Sequence, residues 1–503
     1  MTCQGEKRGG SPAGAELPLL TDADVAAYAA AVGDHNPLHV DPVFARRSPY
    51  GRRVAHGALA ATLALSTAER VQLDAVREIE VTFRQPVLPG IRYRVDPVPA
   101  AGGFGLRTSF GDVRVLDVRC RTGSPPPVSS PRASVPLTIP IPGEARVLDP
   151  AALARIGSEE GSYAADAVGL AGLLARFSAR EIPPHLAVLL AWASYWTGMC
   201  VPGRDALLIG VTAKVHSASA GVVGFRTRPP AADLRTGLTT VRAELSGGVG
   251  AEVTLQSVLR RQIPAAAPDE MAALLPPSPR LAGRTLLVVG GGRGLGAAIA
   301  TGLAGQGATV LVGCIGSTER LDRALRDYGD RLKPVTADAG EPAALAAAIS
   351  AVLADEPLDG LVLTAGPAIP AMPVAAQAVE PAIDFITASL RLVLCPVTTA
   401  GPRLRRGSPV VITSSQAVAD PPRHWPHYVA AKTAVEGFAA YLAAHHPWRI
   451  LVTRPARLRT DLTNTPLGHP AAAPVAPTAA AVVEAIVTAI QSADPLPRKV
   501  TFV

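Results

Sequence analysis

Three stretches of the chain carry different rhythms of apolar and polar residues. In the first, "HGALAATLALSTAER" is an apolar helix candidate, followed by alternating segments that begin "IEVTFRQPVLPG" and continue "FGLRTSFGDVRVLDVRCRT". The second repeats the order weakly, with "HLAVLLAWASYWTG", then "IGVTAKVHSASAG" and a strand pair read from "GLTTVRAELSGGVGAEVTLQSVLR". Period-two alternation predicts antiparallel strands with one buried face, here wrapped around one long helix and occurring twice. The third stretch alternates strand and helix signals through "TLLVVGGG", "ATVLVG", "GLVLTAG", "SPVVITSS" and "RILVTRP". That pattern predicts a parallel, doubly wound sheet.

Proline-rich breaks separate the three. "TGSPPPVSSPRASVPLTIPIPGE" cannot sustain a helix or a central strand, and "QIPAAAPDEMAALLPPSPR" is a second spacer. The expected organisation is a disordered lead over 1–14, domains over 15–121 and 145–262, linkers over 122–144 and 263–280, and a final domain over 281–503.

Composition narrows the function classes. A chain of 503 residues with 18 % charged residues is too apolar to be disordered, and its length suits several domains. The basic excess is nearly all arginine, the pattern of a GC-rich genome. The net charge of +7 is modest, with no basic run or basic-aromatic stripe, so nucleic acid is not expected as a partner. The five cysteines are scattered and odd in number. They offer neither a disulfide framework nor a zinc spacing, no metal site is expected, and a reducing cytosol fits. The N-terminal lead lacks an apolar core, and "LAVLLAWASYWTGMCV" is short and interrupted, so neither a leader nor a membrane span is expected.

The chemistry begins at "GDHNPLHVDPVFARRSPYGRRVAHGAL". Gly33, Asp34, Asn36, Pro37, His39, Asp41, Ala45, Gly51, Val54, His56 and Gly57 together resemble the signature of the MaoC-like, (R)-specific enoyl-thioester hydratases and dehydratases, which have a hot-dog fold. The resemblance implies Asp34 and His39 as the acid/base pair. Loss of water from a 3-hydroxyacyl thioester needs one proton taken from C2 and one given to the departing hydroxyl, and a carboxylate with an imidazole can do both. Which of the two takes the C2 proton is left open by sequence. Asn36-Pro37 would fix the loop. N–H groups at the helix start near Gly57 would meet the charge on the thioester oxygen, with glycine letting the carbonyl approach. His56 reads as a structural neighbour. The second stretch lacks D-x-N-P-x-H; His185 there reads as a satisfied packing residue, and 145–262 as a non-catalytic half that shapes the acyl tunnel.

In the third stretch, Gly290, Gly294 and Gly296 follow an apolar strand, Ser415 ends another, and Tyr428 and Lys432 form "YVAAK". The set resembles the short-chain dehydrogenases/reductases, a Rossmann fold. The resemblance implies that Tyr428 protonates a ketone oxygen, that Ser415 hydrogen-bonds it, and that Lys432 lowers the phenol pKa and holds the nicotinamide ribose. Departures are Val289 for the usual threonine, "LTAG" with Thr364 and Gly366 for N-N-A-G, Ser389 for an asparagine, and Pro455-Ala456 for Pro-Gly. The second strand ends in Gly313 and Cys314 with no acid, while Arg293, Ser317 and Arg320 are near. NADPH is therefore favoured over NADH. Asp338 matches the adenine-contacting position.

The expected fold class is an α+β double hot-dog followed by an α/β Rossmann domain. The expected function is NADPH-dependent reduction of a 3-oxoacyl thioester and dehydration to the trans-2-enoyl product, in fatty-acid or polyketide-type biosynthesis. The expected partner is an acyl carrier protein or CoA thioester, and the expected state is a cytoplasmic homo-oligomer, a dimer. The alternatives are hydration followed by oxidation, and a non-catalytic subunit that binds acyl carriers.

Overall fold

The computed structural model describes residues 14–128, 143–177, 182–233, 235–260, 268–316, 319–463 and 472–503. The chain forms two compact units, Met1–Arg261 and Gln262–Val503.

In the first unit, helix α1 (Asp22–Val32) starts at a reciprocal cap. The Thr21 hydroxyl accepts from the Asp24 N–H, and the Asp24 carboxylate accepts from the Thr21 N–H. It ends at Gly33, whose φ of +73° is a left-handed cap that glycine adopts without a Cβ clash. The chain thus turns directly into Asp34. Asn36 restarts it as α2 (Pro37–Val40), its side-chain oxygen accepting from the Leu38 N–H at 3.0 Å. Two central helices follow, α3 (Gly57–Leu65) and α4 (Pro184–Tyr195), the latter running into a π turn at Trp196–Cys200. They pack on each other. Nearly every residue of both is buried, as their apolar sequences require.

The sheet strands are β1 (Val76–Phe83), β2 (Arg94–Val98), β3 (Gly103–Phe110), β4 (Val113–Thr122), β5 (Ala206–Thr227) and β6 (Leu238–Leu259). They run antiparallel in the order β2-β3-β4-β1-β5-β6, with short strands completing nine. Pairing of Glu78–Thr82 with Gly210–Lys214 joins the two halves into one sheet. The segment "GLTTVRAELSGGVGAEVTLQSVLR" is a single 22-residue strand, not the expected pair. The register shift between Ala218 and Val223 puts the extra residues on β5, and Gly247, φ +78°, passes opposite that bulge within one strand and not through a hairpin turn.

The second unit holds a parallel sheet of β7 (Thr285–Val289), β8 (Thr309–Cys314), β9 (Leu332–Thr336), β10 (Gly360–Leu363), β11 (Pro409–Thr413), β12 (Arg449–Thr453) and β13 (Thr501–Phe502). The order is β9-β8-β7-β10-β11-β12-β13. Leu286 and Val288 face one core, Leu287 and Val289 the other. Burial on both faces explains the unbroken apolar runs. Helices α5 (Gly294–Gly305), α6 (Val379–Ala400) and α7 (Pro426–His445) carry the residues that matter for chemistry. The stretch Ala376–Arg403 has the length and apolarity of a membrane span; Phe385, Val393 and Val397 on it are buried in this unit. The expected spacer over 263–280 contains a helix, Pro268–Leu274. Met271 and Leu275, one turn apart, are buried in the core.

Candidate active sites

The capped end of α1 and the Asn36-Pro37 restart bring Asp34 and His39 into one corner, with His56 behind them. Donor atoms of the three lie within 4.8 Å of one another. Asp34 is 1 % exposed. Its carboxylate accepts from the Ser194 hydroxyl at 2.6 Å and from the Asn36 N–H at 3.2 Å. The His39 Nδ1–H donates to the Val54 carbonyl at 2.8 Å, which leaves the lone pair on Nε2. The fully buried His56 donates from Nε2 to the Asp34 carbonyl at 3.0 Å and stacks on His39 with centroids 3.8 Å apart. Burial pushes the Asp34 carboxyl up, with His39, Ser194 and Asn36 opposing. It pushes His39 down, against the pull of Asp34, and holds His56 well below its ordinary value. A neutral imidazole and a carboxyl with raised proton affinity therefore share one site, the pattern of a base and an acid. Three such donors could in number hold a metal ion. However, both Asp34 oxygens already accept hydrogen bonds.

Gly57 opens α3 beneath His56, which supplies no side-chain cap, so its first-turn N–H groups have no intrahelical acceptor. On the side where a Cβ would stand, Gly57 packs against the Phe83 ring, which a Cβ would meet at 2.8 Å. Glycine is required for that packing.

The second half reaches into the same corner. Asn36 Nδ2 donates to the carbonyls of Gly198 at 2.9 Å and Arg204 at 3.1 Å. A Cβ on Gly198 would meet Asp34 Oδ1 at 2.4 Å. Sequence offered no signal for Ser194 or Gly198, which stand some 160 positions from Asp34. His185 is buried, yet its Nε2 has no hydrogen-bond partner among the described residues. It packs without being satisfied, and burial holds its pKa down, which keeps it neutral.

In the second unit, Ser415 follows β11, its hydroxyl accepting from the Ala417 N–H at 3.2 Å, and it acts electrostatically on Tyr428, at the start of α7. Lys432 lies one helical turn on. Its ammonium donates to the Thr413 carbonyl at 2.8 Å and sits 5.8 Å from the Tyr428 ring centroid. The expected lowering of Tyr428 by Lys432 is not what the surroundings give. Burial pushes the phenol up, with Ser415 opposing. Lys432 itself is pushed down to about 8 by burial, against Glu436. Ser389 sits at the asparagine position, but its hydroxyl donates to the Phe385 carbonyl at 2.8 Å within its own helix.

The glycine loop fits a dinucleotide pyrophosphate. Gly290 takes φ +84°, and Cβ atoms on Gly290 and Gly296 would meet Thr364 Oγ1 at 2.9 and 2.4 Å. Thr364 donates to the Val289 carbonyl at 2.9 Å, so it tightens the strand–helix junction. Gly294, φ +56°, packs under Thr460. Arg293 caps α5 with no side-chain cap bond, leaving first-turn N–H groups for an anion. Its guanidinium lies 3.7 Å from Asp461, a neighbour sequence did not suggest. The Asp338 carboxylate accepts from the Gly340 N–H at 2.9 Å, and the space around the Gly366 Cα is open. Ser317 and the Arg320 side chain lie outside what the structure describes.

A family model described as a MaoC like domain matches residues 8–98, and one described as short chain dehydrogenase matches 284–466. The 3-hydroxyacyl-thioester dehydratase Z of Mycobacterium tuberculosis is 31 % identical over 142 residues, 28 % of this chain and 82 % of the relative. The 3-hydroxybutyryl-CoA dehydratase of Methylorubrum extorquens is 31 % identical over 109 residues, 20 % of this chain and 69 % of the relative. The 3-hydroxyacyl-thioester dehydratase X of M. tuberculosis is 37 % identical over 83 residues, 16 % of this chain and only 29 % of the relative. Among solved structures, a dehydrogenase/reductase from Sinorhizobium meliloti is 23 % identical, covering 47 % of this chain and 97 % of that one, with a TM-score of 0.40.

Proposed function

We infer, for a chain that belongs to the MaoC-like dehydratases through residues 8–98 and to the short-chain dehydrogenases through residues 284–466, two consecutive reactions on an acyl thioester. The second unit reduces a 3-oxoacyl thioester to the 3-hydroxyacyl thioester, and the first eliminates water to give the trans-2-enoyl thioester. The observation that carries the reading is that one chain gathers both an Asp34–His39 pair and a Ser415–Tyr428–Lys432 set.

In the dehydratase, His39 Nε2 takes the C2 proton, because its Nδ1–H is held by Val54 and burial keeps the ring neutral. Asp34, whose carboxyl burial makes a better proton holder, gives its proton to the hydroxyl leaving C3. The C2–H and C3–O bonds break, the C2=C3 bond forms, and water departs. First-turn N–H groups at Gly57 face the charge that develops on the thioester oxygen.

In the reductase, Gly290, Gly294 and Gly296 would cradle the pyrophosphate of a nicotinamide cofactor, which supplies the hydride when bound. Asp338 would meet the adenine, and Gly366, where even a Cβ would meet nothing within 4 Å, would border the cofactor. Arg293 and the absence of an acid at Gly313 and Cys314 favour a 2′-phosphate, hence NADPH. Tyr428 donates its proton to the carbonyl oxygen while Ser415 hydrogen-bonds that oxygen, and Lys432 would hold the ribose of a bound cofactor. Mass spectrometry of 3-oxobutanoyl-CoA incubated with enzyme and NADPH tests the reading. The expected products are 3-hydroxybutanoyl-CoA and then trans-2-butenoyl-CoA. Unchanged substrate, together with no hydration of trans-2-butenoyl-CoA, overturns it.

A further inference from the structure

The acid of the proposed dehydratase is not held by its own half alone. The side chain that grips Asp34 most closely is Ser194, on the last turn of α4, at 2.6 Å. The next turn contributes Gly198, where any side chain would strike the Asp34 carboxyl, and the Gly198 carbonyl ties down Asn36. The second half supplies a donor, a void and an anchor for the D-x-N-P-x-H loop.

We propose that Ser194 is the positioning residue of the dehydratase, setting the direction and proton affinity of the Asp34 carboxyl, so that the catalytic centre is built across both halves. This rests on the dehydratase reading above. A buried carboxyl has two oxygens and a free torsion. The Asn36 N–H holds one oxygen at 3.2 Å, and the shorter Ser194 bond fixes the other. Without Ser194, the carboxyl could rotate away from the substrate. It would also lose a donor that favours its charged form.

Other groups facing Asp34 set the background. His35 and His39 lie on its own loop, His56 at the head of α3 and Tyr28 on α1. Tyr163, Tyr195 and Cys200 face it from the second half. None of them replaces a hydroxyl 2.6 Å from the carboxylate.

The test is hydration of trans-2-butenoyl-CoA by the full chain across pH. By microscopic reversibility Asp34 is the base in this direction, so its carboxyl sets one limb of the kcat/KM profile of the Asp34–His39 pair. In Ser194→Ala that limb should move up by about half to one pH unit, and kcat should fall roughly tenfold with KM little changed. Ser194→Thr, which restores a hydroxyl, should return the limb toward the wild-type position. A Ser194→Ala profile that superposes on wild type, while His39→Ala is inactive, overturns this inference and leaves the dehydratase reading standing. Equal inactivity of wild type and His39→Ala overturns both.

Discussion

At the scale of single residues, burial does most of the chemical tuning, and it does so in both units. It raises Asp34 and lowers His39 in one corner, and it raises Tyr428 and lowers Lys432 in the other. Lys432 has a consequence for stability. Its pKa falls from 10.5 to about 8 on folding. Between those values the unfolded chain binds the proton and the folded chain does not, so stability rises with pH through this window. The contribution is complete above 10.5 and is lost as pH falls through about 8. At pH 7 the fold carries a buried ammonium. Lys432→Met should therefore melt higher than wild type at pH 7, with the advantage shrinking toward pH 10, while NADPH-dependent reduction is lost. Thermal denaturation at the two pH values checks this; a variant less stable at pH 7 would show that the Thr413 and Glu436 contacts outweigh desolvation. Four of the five central side chains are legible in the sequence because local spacing places them: one loop for Asp34 and His39, one helical turn for Tyr428 and Lys432; Ser415 is legible from its place at the end of an apolar strand. Ser194, Gly198 and Asp461 are not, since their roles arise only where distant segments meet.

At the scale of elements, the same contrast holds. The parallel strands are readable because burial on both faces demands unbroken apolar runs, and α3 and α4 because they are apolar all round. The segment around Gly247-Gly248 misleads because a glycine pair can pass opposite a bulge within one strand as well as form a turn, and only the partner strand decides. Pro268–Leu274 hides among prolines, although Met271 and Leu275 have helical spacing. The Asp461–Thr463 turn bears on the glycine loop, with Thr460 against Gly294 and Asp461 near Arg293. If Arg293 receives a 2′-phosphate, Asp461 opposes it. Arg293→Ala should raise the KM for NADPH about tenfold and leave that for NADH nearly unchanged. Asp461→Asn, which keeps shape and removes charge, should lower the KM for NADPH several-fold. Parallel shifts for both cofactors would instead indicate a loop that has lost its shape.

At the scale of the whole molecule, each proposed reaction draws its named groups from one unit. Asp34, His39, Ser194 and Gly198 all belong to Met1–Arg261, and Gly290, Ser415, Tyr428 and Lys432 to Gln262–Val503. A unit disabled at its own centre should leave the other intact. Asp34→Asn removes the dehydratase acid, and Tyr428→Phe removes the reductase proton donor, each expected to cost about 10²–10⁴-fold in its own step. Mixed in equal amounts with NADPH and 3-oxobutanoyl-CoA, the two variants should together form trans-2-butenoyl-CoA that neither forms alone. The Asp34→Asn protein releases 3-hydroxybutanoyl-CoA and the Tyr428→Phe protein dehydrates it. Product should appear after a lag, because the intermediate must first accumulate in solution, and the lag should shorten as the Tyr428→Phe protein is raised. If each variant performs its surviving step on added substrate but the mixture yields no enoyl product, the hydroxyacyl intermediate is not exchanged between chains, and the two centres act as a coupled pair.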